Sequence, residues 1–76
     1  MKTEEAQIER SEIRFQGNTC SVGEAQAIEA RISRLPGVVS VYANPAAEIV
    51  FVEYDRRLTG PTEFRQAIRD VGLKAA

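Results

Sequence analysis

The sequence predicts a small two-layer α+β domain, in which two helices cover one face of a four-stranded antiparallel sheet. Two observations lead to this prediction. In some segments apolar residues alternate with polar ones, and in others they recur every three or four residues. These two patterns follow one another along the chain in the order strand, helix, strand, strand, helix, strand.

The first strand and the first helix are predicted from a change of period. Glu12 to Gln16 alternates polar and apolar residues, so Ile13 and Phe15 are expected to point into the core. From Ser21 the period becomes helical, and Pro36-Gly37 is expected to end the helix. The apolar stripe of this helix consists of Val22, Ala25, Ile28, Ile32 and Leu35.

The second half of the chain predicts a hairpin, a helix and a short last strand. Val38 to Ala43 and Glu48 to Tyr54 are strand-like and are joined by a short turn, which is typical of an antiparallel hairpin. In the second of these strands one face is expected to carry Val50, Val52 and Tyr54, and the other face Ile49, Phe51 and Glu53. Pro61 suits the first turn of a second helix, and Gly72 suits its end. Leu73 to Ala76 predicts a fourth strand of few residues. This order, βαββαβ, is that of the ferredoxin-like sandwich, which hosts many unrelated functions.

Length and composition indicate one cytoplasmic domain. With 76 residues, the chain is expected to hold a flexible arm over residues 1–10 and one folded domain over residues 11–76. A net charge of −1 gives no electrostatic reason to expect nucleic acid as a partner. No apolar run is long enough to insert in a membrane, and no secretory signal follows Met1. A single cysteine favours a reducing compartment.

The segment between the first strand and the first helix contains that cysteine, in Gly17-Asn18-Thr19-Cys20-Ser21-Val22-Gly23. An ordered series of short motifs follows at defined spacings: Ile28-Glu29, Leu35-Pro36-Gly37-Val38, Val41, Asn44, Val50, Val52, Tyr54-Asp55, Ala67-Ile68 and Val71-Gly72. The series resembles the heavy-metal-associated domain family, whose pattern runs G-M-x-C-x-x-C, I-E, L-x-G-V, V-x-V-N, V-x-V-x-Y-D, A-I and A-G-Y. The resemblance runs from about Ile13 to Ala75.

The resemblance implies that Cys20 is the first metal-binding cysteine of the family's pair. Gly23 stands where the second cysteine belongs, and Asn18 stands where the usual methionine belongs. Leu73 replaces an aromatic residue that commonly packs near the site. These departures fall at the site and few fall in the core, so half of the cysteine pair is missing from an otherwise similar domain. The residues expected to shape the loop are Gly17, Asn18, Thr19, Ser21 and Gly23.

Family members are copper chaperones, N-terminal modules of heavy-metal-transporting P-type ATPases and mercury-binding proteins. The resemblance therefore implies binding of a soft ion such as Cu(I), in metal transfer or as part of a membrane transporter. A position just before a helix favours the thiolate form of Cys20 and lowers its pKa. One sulfur does not complete the two-coordinate thiolate site that Cu(I) favours.

Several completions of the site remain open. The second sulfur could come from another metal-binding domain, from Cys20 of a second copy, or from a small thiol such as glutathione. Alternatively, Glu24 could help to hold a harder ion such as Zn(II), although an acid in the first turn of a helix also suits the helix dipole without metal. A domain that holds no metal is the remaining interpretation of the site.

Other features of the sequence bear on whether this domain binds a protein partner or catalyses a reaction. Tyr42, Ile49 and Phe51 are expected on the sheet face away from the helices, as a docking patch for a second copy or a neighbouring domain. Two alternatives are that residues Met1 to Arg10 cover this patch, or that it is one of the small groups of exposed aromatic residues that antiparallel sheets often have. A degenerate module that binds no metal could act through this face, or through the second helix, as a protein-interaction or regulatory domain. The chain has no histidine and no glycine-rich phosphate loop, so we do not expect an enzyme.

Overall fold

A computed structural model describes residues 7–16 and 22–75. The elements are β1 (Ile8–Gln16), α1 (Val22–Ser33), β2 (Val38–Asn44), β3 (Ile49–Asp55), α2 (Pro61–Asp70) and β4 (Lys74–Ala75). The strands form one antiparallel sheet in the order β2-β3-β1-β4, and both helices pack against the same face of it. The predicted ferredoxin-like sandwich is therefore confirmed.

Strand β1 begins earlier than the sequence indicated. The prediction started the strand at Glu12 and assigned residues 1–10 to an arm, whereas Ile8, Glu9 and Arg10 already belong to β1. They pair with the end of β3, where Ile8 faces Asp55 in the register. Residues 8–10 do not show a clear apolar alternation, so only the pairing with a distant strand defines them as β. Residues 1–6 lie outside the described part of the chain.

The core lies between the helices and one face of the sheet. Residues at alternate positions of the strands point into it, and the predicted inward-facing residues of β1 and β3 are confirmed as buried. The buried apolar side chains are Ile13, Phe15, Ala25, Ile28, Ile32, Ala43, Val50, Val52, Tyr54, Phe64, Ala67, Ile68 and Leu73.

Helix α1 contributes to this core from its second turn onward. Ala25, Ile28 and Ile32 are buried, and Leu35 beyond the helix is partly buried against them. Val22, which the sequence pattern placed on the same stripe, is 63% exposed. The predicted apolar stripe is therefore confirmed from Ala25 onward and is wrong for Val22, the first residue of the helix. Burial begins only where the helix packs against the sheet.

The connection from α1 to β2 depends on a glycine. Gly37 adopts φ of 91°, a left-handed conformation that residues with a Cβ rarely adopt. A Cβ at this position would also lie 2.7 Å from Cβ of Leu58. The carbonyl oxygen of Gly37 accepts a hydrogen bond from the backbone N–H of Asp55 at 2.7 Å. This hydrogen bond joins the residue before β2 to the end of β3. The Pro36-Gly37 segment that ends α1 therefore also helps to hold β2 and β3 together.

Candidate metal site

The predicted metal-binding loop connects β1 to α1. The loop residues singled out in the sequence, Gly17, Asn18, Thr19, Cys20 and Ser21, lie outside the described residues, so their expected roles stay predictions. The described chain ends on one side at Gln16, the last residue of β1, and resumes at Val22, the first residue of α1. In the sequence, Cys20 thus comes two residues before the N-terminus of α1, as predicted for a cysteine near the positive end of a helix dipole.

The strand that leads into this loop is held on both sides. The backbone N–H of Phe15 donates to the carbonyl oxygen of Glu48 at 3.0 Å, on the β3 side. On the other side, Phe15 and Gln16 pair with Ala75 and Lys74 of β4. The side chain of Phe15 is 4% exposed. Backbone pairing on both sides therefore holds the end of β1 in place where the loop begins, although β4 is only two residues long.

Leu73, the residue in place of the family's aromatic side chain, is buried at the same end of the sheet. It is 7% exposed, and its backbone N–H donates to the carbonyl oxygen of Ile68 at 3.2 Å. Leu73 thus packs into the core and connects the end of α2 to β4. A leucine preserves the packing function of this position with a purely apolar side chain.

The first turn of α1 contains the other two residues predicted to matter for a metal. Gly23 is exposed, and Glu24 is half-buried and takes part in a polar interaction of its own. A first-turn glutamate is stabilised by the positive end of the helix dipole with or without a metal. The predicted role of Glu24 as a ligand therefore stays a prediction.

The supply of donor atoms limits what one chain can bind. Within residues 7–16 and 22–75, no three His, Cys, Asp or Glu side chains are grouped so as to hold a metal ion. The whole sequence has one cysteine, one methionine and no histidine. Because Cu(I) prefers thiolate and thioether sulfur, Cys20 is the only thiolate donor that this chain offers to it.

The strongest electrostatic contact lies at the other end of the sheet. Asp55 ends β3 and is 6% exposed, and its carboxylate accepts hydrogen bonds from the Arg57 side chain at 2.7 and 3.0 Å. It also accepts the Arg57 backbone N–H at 3.0 Å. These bonds lower the pKa of Asp55 from 3.8 to about 2, against the opposing effect of burial. Sequence analysis missed this pair, although an aspartate two residues before an arginine in a turn is a recognisable signal.

Sequence analysis also missed a contact between α1 and the edge of the sheet. A carboxylate oxygen of Glu29 accepts the backbone N–H of Ala43 at 2.8 Å. Strand β2 is an edge strand, so this N–H points away from the sheet's own hydrogen bonds. The Ile28-Glu29 motif thus has two structural functions, since Ile28 fills the core while Glu29 covers part of the exposed edge.

The predicted patch on the outer sheet face is brought together. Tyr42 of β2 is opposite Phe51 of β3, and their rings stack with centroids 6.2 Å apart and planes inclined by 12°. Tyr42 is 56% exposed and Phe51 is 38% exposed, while Ile49 is half-buried beside them. The residues therefore share one exposed surface, and whether that surface is an interface stays a prediction.

Comparison with known proteins identifies the family. The model of the heavy-metal-associated domain matches residues 16–74, which includes Cys20 and most of the described fold. The chain belongs to the heavy-metal-associated domain family. The resemblance drawn from the sequence is therefore confirmed.

Relatives of this heavy-metal-associated domain include parts of copper transporters. The domain is 41% identical over 64 residues to the copper-transporting ATPase 1 of Mus musculus, covering 84% of this chain. It is 32% identical over 66 residues to the copper-exporting P-type ATPase of Bacillus subtilis (strain 168), covering 87% of this chain. The chain spans only 4% and 8% of these two proteins, respectively.

Solved structures agree on the fold. The N-terminal domain of a potential copper-translocating P-type ATPase from Bacillus subtilis, in its Cu(I)-loaded state, superposes with a TM-score of 0.83 at 29% identity, covering 91% of this chain and 85% of that chain. The CopZ metallochaperone superposes with a TM-score of 0.84 at 22% identity, covering 90% and 100%. Membership of the heavy-metal-associated domain family supports a function in metal binding. Neither helix in the described part of the chain is long and apolar enough to cross a membrane.

Proposed function

We propose that this domain binds Cu(I) through Cys20 and exchanges it with a second thiol that another molecule supplies. The observation that carries the proposal is the family match over residues 16–74, because this range includes the segment between β1 and α1 that contains Cys20. A solved relative with the same fold is described in a Cu(I)-loaded state. Copper is the cargo here, so the ion is expected to bind and leave.

The chain supplies a single thiolate, and this number determines what kind of copper site it can form. Two sulfurs can hold Cu(I) in a nearly linear geometry, and this chain contributes one of them. The second sulfur would come from the cysteine of another metal-binding domain, from Cys20 of a second copy, or from a small thiol such as glutathione. A site completed by a partner binds its ion only during the encounter, which suits transfer better than storage.

The position of Cys20 just before α1 supports its function as a donor. Metal binding requires the deprotonated thiol, and the N-terminus of a twelve-residue helix favours that negative form. Glu24 would then have a secondary function. Its carboxylate could contribute to a site for Zn(II), a harder ion than Cu(I), whereas it is a poor ligand for Cu(I) itself.

The place of the domain in a larger system follows from its relatives. We propose that it acts in the cytoplasm without catalytic activity, either as a free-standing chaperone or as the N-terminal module of a metal-transporting ATPase. Its direct partner would in both cases be a second metal-binding domain. The alternative function is a degenerate module without metal that docks other proteins, and the exposed Tyr42–Phe51 pair is the observation that favours it.

Anaerobic titration of the reduced protein with Cu(I), in competition with a chromophoric chelator, tests the proposal. The wild type is expected to withdraw one Cu(I) per two chains, and Cys20→Ala is expected to withdraw none. In a parallel series with excess glutathione, the stoichiometry should become one per chain. Glu24→Gln should leave the Cu(I) result unchanged and weaken only the binding of Zn(II).

A gain-of-function variant provides the matched control. Gly23 is an exposed helical residue, so a cysteine there is accommodated and restores the spacing of the family's pair. Gly23→Cys is expected to bind one Cu(I) per chain without glutathione. If it does so while the wild type does not compete under any of these conditions, the fold is a competent scaffold and the wild type is the module without metal. Equal binding by the wild type and Cys20→Ala would contradict the assignment of Cys20.

A further inference from the structure

The sheet face away from the helices, which we call the open face, is not covered by anything within residues 7–16 and 22–75. Strand β3 runs along its middle and presents Ile49, Phe51 and Glu53. The register places three residues of β2 on one side of them and three of β1 on the other. The three rows across the face are Asn44–Ile49–Arg14, Tyr42–Phe51–Glu12 and Ser40–Glu53–Arg10.

The two flanks of the open face have complementary chemistry. The β2 flank presents neutral groups that form hydrogen bonds, which are an amide, a phenol and a hydroxyl. The β1 flank presents exposed charges, which alternate as Arg10, Glu12 and Arg14. Between them, Ile49 and Phe51 form a short apolar seam. A surface with an apolar centre and two different polar flanks can be matched by an identical surface that is rotated by half a turn.

We propose that two copies of this domain associate through the open face, about a two-fold axis that runs parallel to β3 above Phe51. In this arrangement the apolar seams of the two copies contact each other. The β2 flank of each copy then lies over the β1 flank of the other. In the middle row the phenol of Tyr42 lies over Glu12 of the other copy, where it can donate a charge-assisted hydrogen bond. In the row that contains Ile49, the amide of Asn44 lies over the other copy's Arg14.

The charges of the open face select this axis over the other face-to-face arrangement. A two-fold axis perpendicular to the strands would place Glu12 over Glu12 and Arg10 over Arg14, which are repulsive pairs. The proposed axis brings one like-charged pair together, Glu53 over Glu53. In each copy that carboxylate already accepts hydrogen bonds from Arg10 at 2.7 Å and from Ser40 at 3.0 Å. Its charge is therefore compensated before the copies meet.

The size of the open face predicts a weak dimer. Three strands about 4.8 Å apart, each about seven residues long at about 3.3 Å per residue, present roughly 330 Å² per copy. A standard stable interface buries about 800 Å² per partner. We therefore expect a dissociation constant of roughly 0.1 to 1 mM, which suits association at high local concentration.

Sedimentation equilibrium and NMR dilution of metal-free Cys20→Ser, with a chelator present, test the proposal apart from any metal or thiol bridge. Between about 20 µM and about 2 mM, a range that brackets the expected affinity, the weight-average mass should rise towards that of a dimer. Amide shifts should change with concentration along β1, β2 and β3 and not along α1 and α2. Tyr42→Thr should abolish the association, whereas Leu58→Thr should not. Leu58 is 61% exposed but lies in the loop after β3.

A double-mutant cycle gives the sharpest result. Within one chain Tyr42 and Glu12 lie about 10 Å apart, on either side of β3, so they should not affect each other in the monomer. Tyr42→Phe and Glu12→Thr should each weaken the dimer about tenfold, and the double variant should be no weaker than either one. A mass that stays monomeric to about 2 mM would overturn the proposal, and so would additive effects of the two substitutions. A monomeric mass would leave the open face to a different protein domain, whereas additive effects would mean that the two copies associate in another arrangement. Both results are independent of whether Cys20 binds copper.

Discussion

The two tyrosines of this chain lie on opposite faces of the same sheet and have opposite surroundings. Tyr54 is 4% exposed and its ring meets that of Phe64 edge-on, with centroids 5.0 Å apart. Tyr42 is 56% exposed and stacks on Phe51, which is itself partly exposed. Both belong to the same hairpin, so neither local sequence nor strand propensity distinguishes them. The helix layer makes the difference, because it removes one face of the sheet from water and not the other.

The same substitution at the two tyrosines should therefore have very different effects. Tyr54→Thr removes a buried ring and is expected to lower the free energy of unfolding by about 3 kcal/mol. Tyr42→Thr is expected to lower it by about 0.5 kcal/mol, since only a cross-strand pair is lost. Urea unfolding followed by circular dichroism measures both. Threonine keeps the strand propensity, so the comparison isolates the loss of the ring. An equal decrease in the free energy of unfolding at the two positions would mean that a ring on the open face stabilises the fold as much as a ring in the core.

A second prediction concerns the border between the two faces, where Glu29 reaches from α1 to the edge of β2. Glu29→Ala leaves the N–H of Ala43 without its acceptor, and we expect a loss of about 1 to 2 kcal/mol. Hydrogen exchange at the Ala43 amide measures the local effect directly, because its protection should fall by more than that of other β2 amides. Glu29→Gln keeps an acceptor oxygen and is the matched control. Unchanged protection in Glu29→Ala would show that another protein group protects this amide.

These two cases show which parts of the fold the sequence could predict. Alternation in β3 assigned Val50, Val52 and Tyr54 to one face and Ile49 and Phe51 to the other, and the structure confirms both sets. Such patterns succeed because burial follows the two-residue period of a strand, which is a local property. The pairing of Ile8 with Asp55 depends on a strand more than forty residues away. No local pattern could therefore locate the start of β1.

The candidate metal site was predicted from a sequence motif, whereas the strands and helices were predicted from the spacing of apolar residues. The position of Cys20 and the absence of a partner cysteine at Gly23 are properties of the sequence, so the ligand count was available at once. The Glu29–Ala43 bond was not, because a side chain on a helix reaches a backbone group fourteen residues away. The Asp55–Arg57 contact is local, but the sequence does not show that the side chain and the backbone N–H of Arg57 both donate to this carboxylate. Together these bonds lower its pKa against the opposing effect of burial.

The third prediction uses Asp55, which ends β3 beyond the Glu53 row of the open face and is buried. Its pKa is lowered in the folded state, so its contribution to stability is complete above the ordinary pKa of 3.8 and is lost as the pH falls towards about 2. The free energy of unfolding of the wild type should therefore fall over this window. In Asp55→Asn the same window should be flatter, because the substituted side chain does not titrate.

Urea unfolding between pH 2 and pH 7 measures this difference, and subtraction of the two profiles removes the contributions of other carboxylates. Asp70, whose pKa is lowered by hydrogen bonds from Gln66 and Arg31, provides the comparison. Asp70→Asn should flatten the profile less than Asp55→Asn does, because Asp70 is exposed. Parallel profiles for the wild type and Asp55→Asn would contradict the assigned effect of the Arg57 hydrogen bonds.

The smallest expected effect belongs to Glu53, in the middle of the open face. Its pKa is lowered first by the Ser40 hydroxyl and then by Arg10, with hydrogen bonds of 3.0 and 2.7 Å. An NMR titration should therefore show that Ser40→Ala and Arg10→Met each raise the pKa of Glu53. Neither variant should measurably change the stability near neutral pH, since the Arg10 side chain is 82% exposed and such pairs contribute little. An unchanged pKa of Glu53 in either variant would contradict the effect assigned to the hydrogen bond from that side chain.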